Sequence, residues 1–153
     1  MQFIKSLKFR CLILFTTVIT LNGCSFNNTY INREEDKKDG EKVTNKLFEL
    51  IKAKKYNDTF KLYSNQFWAV TTKDKLLELY TATENKLGDL DSTTVNKWET
   101  RRVVGTNPSA EYVFAYNTKH SKYKAVESIR LVKEKDGSIK ILAYNINSDG
   151  FFK

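Results

Sequence analysis

Thiol and imidazole chemistry are nearly absent from this chain. Its 153 residues hold two cysteines and one histidine, too few for a disulfide framework or a metal-spaced His/Cys cluster. It has no glycine-rich phosphate loop and no Gly-x-Ser-x-Gly nucleophile turn. Proline occurs once, at Pro108. The apolar stretch over residues 11–21 is shorter than the roughly 20 residues that a helix needs to cross about 30 Å of hydrocarbon. Basic residues outnumber acidic ones by 26 to 18. They are scattered among glutamates and aspartates, so the excess is no nucleic-acid footprint. No cofactor, metal or nucleic-acid partner is expected.

What is present begins at the N-terminus. Lys5, Lys8 and Arg10 form a positive region, Cys11 to Leu21 an apolar one, and Leu21-Asn22-Gly23-Cys24 closes the segment. This order resembles the signal and lipobox of bacterial lipoproteins. The resemblance implies cleavage before Cys24 and acylation of its thiol and new amino group with three chains in all. At about 0.8 kcal/mol per buried methylene, several chains hold a protein on a membrane stably where one does not. The partner implied is thus the membrane itself, in the bacterial cell envelope. Ser25 lacks the aspartate associated with inner-membrane retention, which favours the periplasmic face of the outer membrane in a diderm host and the outer face of the plasma membrane otherwise.

Removing residues 1–23 takes away three basic residues and no acidic ones, leaving 23 against 18 and a net charge of +5. With Cys11 lost and Cys24 acylated, the mature domain has no free thiol, so its stability must come from its core. Residues 24–40 are polar, with no sustained apolar period, and read as the lipidated cysteine and a flexible tether. Residues 41–153 are enough for a single domain and too few for two.

Helical periodicity starts at residue 41, where Val43, Leu47, Leu50, Ile51 and the stem of Lys54 share one face. An aromatic segment follows through Tyr56, Phe60, Tyr63, Phe67 and Trp68, broken at Ser64-Asn65. A third helix begins after Thr71-Thr72, either of which can cap it, buries Leu76, Leu79, Tyr80, Thr83 and Leu87, and stops at Gly88. The period then changes to that of strands, over 93–104, from Tyr112 to Thr118, over 123–134 and over 138–147. Asn107-Pro108-Ser109 and Lys119-His120-Ser121 separate the first three, and Asp136-Gly137 predicts a two-residue type I′ hairpin. The expectation is an α+β fold with N-terminal helices packed on a curved four-stranded antiparallel sheet.

Several segments carry a further likeness: Leu62-Tyr63-Ser64, Leu87-Gly88-Asp89-Leu90-Asp91-Ser92, the run from Glu127 to Glu134, and the hairpin from Asp136 to Tyr144. Through them the mature domain resembles an uncharacterised bacterial family, catalogued only as a domain of unknown function, of the nuclear-transport-factor-two-like or cystatin-like superfamily. The resemblance implies a strongly bent sheet wrapped around helices as a cone with an open mouth.

In such a cone Glu127 shares parity with Ile129 and Leu131 and can point into an apolar concavity. A desolvated carboxylate there serves as a general acid or base. Ketosteroid-isomerase-like relatives pair such a group with a tyrosine, for which Tyr112, Tyr116 and Tyr144 are candidates, Tyr116 first. The competing reading is an ion pair of Glu127 with Arg102 or a lysine at the sheet rim. Trp98, Arg102, Tyr112, Tyr116 and Glu127 are the candidate ligand-binding residues, although aromatics at these spacings also build cores. His120, between lysines in a predicted turn, reads as exposed. The leading functional expectation is a lipid-anchored, non-enzymatic envelope protein that binds a small apolar ligand, a glycan or another protein. The alternatives are an isomerase-like enzyme and a protective protein against an envelope-targeted toxin.

Overall fold

A computed structural model describes residues 26–153, so the lipobox, Cys24 and Ser25 lie outside the described residues. Strand β1 (Asn27–Ile31) leads into helix α1 (Glu34–Lys52). Two one-turn helices, α2 (Tyr56–Thr59) and α3 (Asn65–Trp68), flank a 3₁₀ turn, and α4 (Lys73–Leu87) completes the helical part. Strands β2 (Leu90–Gly105), β3 (Ser109–His120), β4 (Lys124–Lys133) and β5 (Ile139–Asn147) follow, with a last 3₁₀ turn over Asp149–Phe152. The five strands form one open antiparallel sheet in chain order. No helix among the described residues is long and apolar enough to cross a membrane.

The α+β class and the order of helices before the meander agree with the sequence expectation, but the sheet has five strands, not four. The expected tether is the source of the difference. Residues 27–31 pair with β2 from Asn27↔Gly105 to Ile31↔Arg101, and Asn32, in the left-handed region at φ 52°, exchanges hydrogen bonds with the Thr100 backbone. Residues 34–40 are the first two turns of α1. Hydropathy does not reveal either element, because β1 is exposed throughout and the buried stripe of early α1 is Asp36, Gly40 and Thr44. Three acidic residues, Glu34, Glu35 and Asp36, stand where the positive end of the helix dipole favours them.

Gly40 explains how α1 can lie so close to the sheet. A Cβ there would come 2.6 Å from Phe114 Cε2 and 3.3 Å from Tyr112 Cδ1, well inside normal carbon–carbon contact. Further along, Leu47 and Phe48 join Tyr63, Phe67, Leu76 and Tyr80 over the inner sheet residues Tyr112, Phe114, Tyr116, Ile129, Leu131, Ile141 and Tyr144. In β3 and β4 buried and exposed residues alternate with the period of the pleat, so the opposite face of the sheet is open to solvent. Bulges interrupt the β2–β3 register twice and the β4–β5 register once, and such insertions bend a sheet.

Caps and turns follow residue chemistry. Thr72 accepts from Lys75 N at the start of α4, and Gly88 ends that helix at φ 87°. The β4–β5 connection corrects the two-residue type I′ expectation. Glu134 N donates to Ser138 O and Gly137 N to Glu134 O, giving a three-residue loop. A type I′ turn would put Asp136 at positive φ, whereas Gly137 alone holds that conformation in this turn, at φ 86°.

Candidate functional site

The inner ends of β3, β4 and β5 converge beneath the corner between α4 and β2. Glu127 on β4 is 1% exposed and His120, the last residue of β3, is 4% exposed. The strand runs on to His120 and the turn falls at Ser121-Lys122. Because even-numbered positions of β3 point inward, His120 follows Tyr116 and Thr118 into the core. This overturns its reading as an exposed turn residue.

Hydrogen bonds hold the three polar side chains as one unit. Tyr144 on β5 donates to Glu127 Oε2 at 2.6 Å. His120 Nε2 lies 3.2 Å from Glu127 Oε1, and its Nδ1 lies 3.1 Å from the carbonyl of Gly88. A carbonyl can only accept, so Nδ1 carries a proton. The Nε2–Oε1 contact therefore holds one proton, whether as imidazolium and carboxylate or as imidazole and carboxylic acid. Both forms are neutral overall, which is what a buried pair requires.

Burial is the largest influence on His120 and opposes its charge. The hydrogen bond to Glu127, the Gly88 carbonyl and the Glu127 charge together outweigh it and leave the pKa above the ordinary imidazole value. Burial, reinforced by the Glu127 charge, pushes the Tyr144 hydroxyl well above its usual range. Nearby, Tyr63 and Tyr80 share a hydroxyl contact of 2.7 Å, and Tyr80 donates onward to Thr59 at 3.3 Å. At the surface, Tyr56 donates to Glu84, which also pairs with Lys54. The void among these groups measures about 30 Å³, room for one or two waters.

The other sequence candidates lie elsewhere. Arg102 does not meet Glu127. It pairs with Ala110 on β3 whereas Glu127 pairs with Tyr116, six residues or about 20 Å further along the strand. Arg102 instead joins Arg33 on the buried Asp36, at 3.1 Å and 2.7 Å, and ties the start of α1 to β2. The Arg33 hydrogen bond is the main reason that the Asp36 pKa falls below its ordinary value. Trp98 is half-buried with Lys37 Nζ 5.1 Å from its ring centre. Tyr112 lies under Gly40, and the Tyr116 hydroxyl bonds to Thr44 Oγ1 at 2.5 Å. These residues are covered by α1 and do not surround one void with Glu127. Tyr144, not Tyr116, is the tyrosine on the Glu127 carboxylate.

Both nitrogens of His120 and both oxygens of Glu127 are engaged within the protein. Each is committed to the protein's own network, which ties β3, β4 and β5 together. Among the described residues no three His, Cys, Asp or Glu side chains are placed to hold a metal ion. His120 and Asp36 are polar core residues that the sequence reading does not place inside. The alternation of β3 is a usable signal for the first, and α1 offers none for the second.

The profile of a family described as Protein of unknown function (DUF4019) matches residues 43–144, which is two thirds of the chain. The chain belongs to the DUF4019 family. The match runs from within α1 to Tyr144, so it takes in His120, Glu127 and Tyr144, while β1 and Asp36 precede it. No curated protein sequence gives a significant match to this DUF4019 chain.

Proposed function

We propose that this DUF4019 protein is a lipid-anchored cell-envelope protein whose domain is a non-enzymatic binding module for another envelope protein. The observation that carries the reading is the filled inner face. Helix α1 occupies the side of the sheet where an internal ligand would sit, and about 30 Å³ remains beside Glu127. Ligand pockets run to about 300–1,000 Å³, so an enclosed small molecule is the less favoured cargo. Binding then falls to the surface. Neutralising an envelope-targeted toxin is one form of such binding.

The bent sheet with helices on one face supports placing the domain in the nuclear-transport-factor-two-like or cystatin-like superfamily. The N-terminal charge order and Leu21-Asn22-Gly23-Cys24 support cleavage before Cys24 and its acylation. The isomerase-like alternative needs Glu127 to exchange a proton with a substrate. That would require opening the void and releasing His120 or Tyr144.

Native mass spectrometry of the protein purified from its own host, after removal of the acyl chains, tests the binding reading. A stoichiometric complex with an envelope protein is the expected result. A retained small molecule that disappears on the Glu127→Ala substitution contradicts it and favours a carrier or enzyme.

A further inference from the structure

The loss of the tether changes where the domain must sit. Strand β1 starts at Asn27, three residues after Cys24. Consecutive Cα atoms are at most about 3.8 Å apart, so Cys24 Cα lies within about 8 Å of Phe26 Cα whatever path the chain takes between them. An anchored Cys24 therefore brings the start of β1 to the lipid headgroups.

The sheet register says what comes with it. Asn27 pairs with Gly105, and its Oδ1 accepts from Asn107 N at 3.3 Å, so β1 begins beside the β2–β3 turn. Gly105, at φ 144°, permits this contact, since a Cβ there would fall 2.0 Å from Phe26 O. The β4–β5 turn lies at the same end, because Glu111 near the start of β3 pairs with Val132 near the end of β4. An open groove joins the two turns between Pro108 and Lys135. At the head of this end Phe26 is 71% exposed, and phenylalanine is among the apolar side chains that interfacial segments bury at the headgroup–acyl boundary. The Glu127 centre and the β3–β4 turn are at the other end. That is eleven residues away along β3 from Ser109 to His120, or about 36 Å at full strand rise.

We propose that the end of the sheet formed by Phe26 and the β2–β3 and β4–β5 turns is a membrane-docking face seated on phospholipid headgroups. This rests on the acylation of Cys24. The domain stands on the bilayer with its strands rising from it, the Phe26 ring enters the headgroup layer, and the β3–β4 turn points away. A partner protein then has access to the far end and to the outer face of the sheet.

The thiol-poor sequence makes the test direct. With Cys24 acylated, a cysteine introduced at Asn107, Lys135 or Ser121 is the sole free thiol of the mature protein and takes one fluorophore. Each full-length variant is matured in a bacterial host and placed in vesicles of phosphatidylethanolamine and phosphatidylglycerol carrying a headgroup-attached quencher. Labels at positions 107 and 135 are expected to be quenched several-fold more than the label at 121. In the same experiment Phe26→Ser lowers quenching at 107. Equal quenching at the two ends with an acylated Cys24 overturns the docking face and leaves the anchoring intact. An intact mass showing no acyl chain on Cys24 overturns both.

Discussion

Replacing Glu127 by glutamine changes one proton and little else, and so isolates what the buried pair does. The amide oxygen can still accept from Tyr144 and the amide nitrogen can donate to a neutral His120 Nε2, so the packing persists. What is lost is the acceptor for an imidazolium. In the native protein the folded-state pKa of His120 is raised, so the pair's contribution to stability is fully present below the unfolded value of about 6.5. It fades as pH rises through the folded pKa. In Glu127→Gln burial, the largest influence, is opposed by the Gly88 carbonyl and the Asp91 charge alone, so the folded pKa is expected to drop below the unfolded one and the sign to reverse. The variant then loses stability as pH falls below about 6.5. A buried charge without its partner costs about 3–5 kcal/mol, and a hydrogen bond to a charged group contributes about 1.5–3 kcal/mol. The expected difference from the native protein at acid pH is therefore about 3 kcal/mol, and it is smaller at alkaline pH. Urea denaturation across pH measures it, with the NMR titration of the single imidazole as the site-specific record. Parallel stability–pH curves for the two proteins would refute the reasoning, as would an unchanged His120 titration.

Gly40→Ala gains about 1 kcal/mol of helix propensity yet is expected to destabilise the protein, because overpacking against the buried rings of Phe114 and Tyr112 costs about 1–3 kcal/mol. A stabilised variant in urea denaturation would mean that α1 does not rest on those rings. Asp36→Asn is expected to cost about 2–3 kcal/mol at neutral pH by weakening charged hydrogen bonds. Because the folded pKa of Asp36 is lowered, its contribution is present above the ordinary carboxylate value of about 3.9 and is lost as pH falls through the folded one. The native protein and the Asp36→Asn variant should therefore converge in stability at strongly acid pH. Thr72→Ala removes the α4 cap and is expected to cost about 1 kcal/mol, which a lowered denaturation midpoint with unchanged slope would register.

How legible all this is depends on whether an element advertises itself through apolar residues. The third helix is readable because Thr72, Leu76, Tyr80, Leu87 and Gly88 combine a cap, a stripe and a stop. Strands β3 and β4 are readable from alternation. Early α1 is not, since a buried aspartate held by two arginines, a glycine under a phenyl ring and a threonine bonded to a tyrosine look polar one by one. Their burial depends on Arg102, Phe114 and Tyr116, all distant in sequence. Strand β1 shows no pattern because neither of its faces is covered. At the candidate site, parity places Glu127 inward correctly. Its partners are harder to read: β3 runs on through the expected turn to His120, where the same alternation turns the imidazole inward, and tertiary packing brings Tyr144 rather than Tyr116 to the carboxylate.

An acylated Cys24 would anchor a domain whose first strand starts three residues later, at Asn27. The intact mass of the protein extracted from its own envelope is the most direct test. Acylation at Cys24 requires a chain that begins at Cys24 and carries three acyl chains. A chain that keeps residues 1–23, or begins elsewhere without lipid, would contradict it.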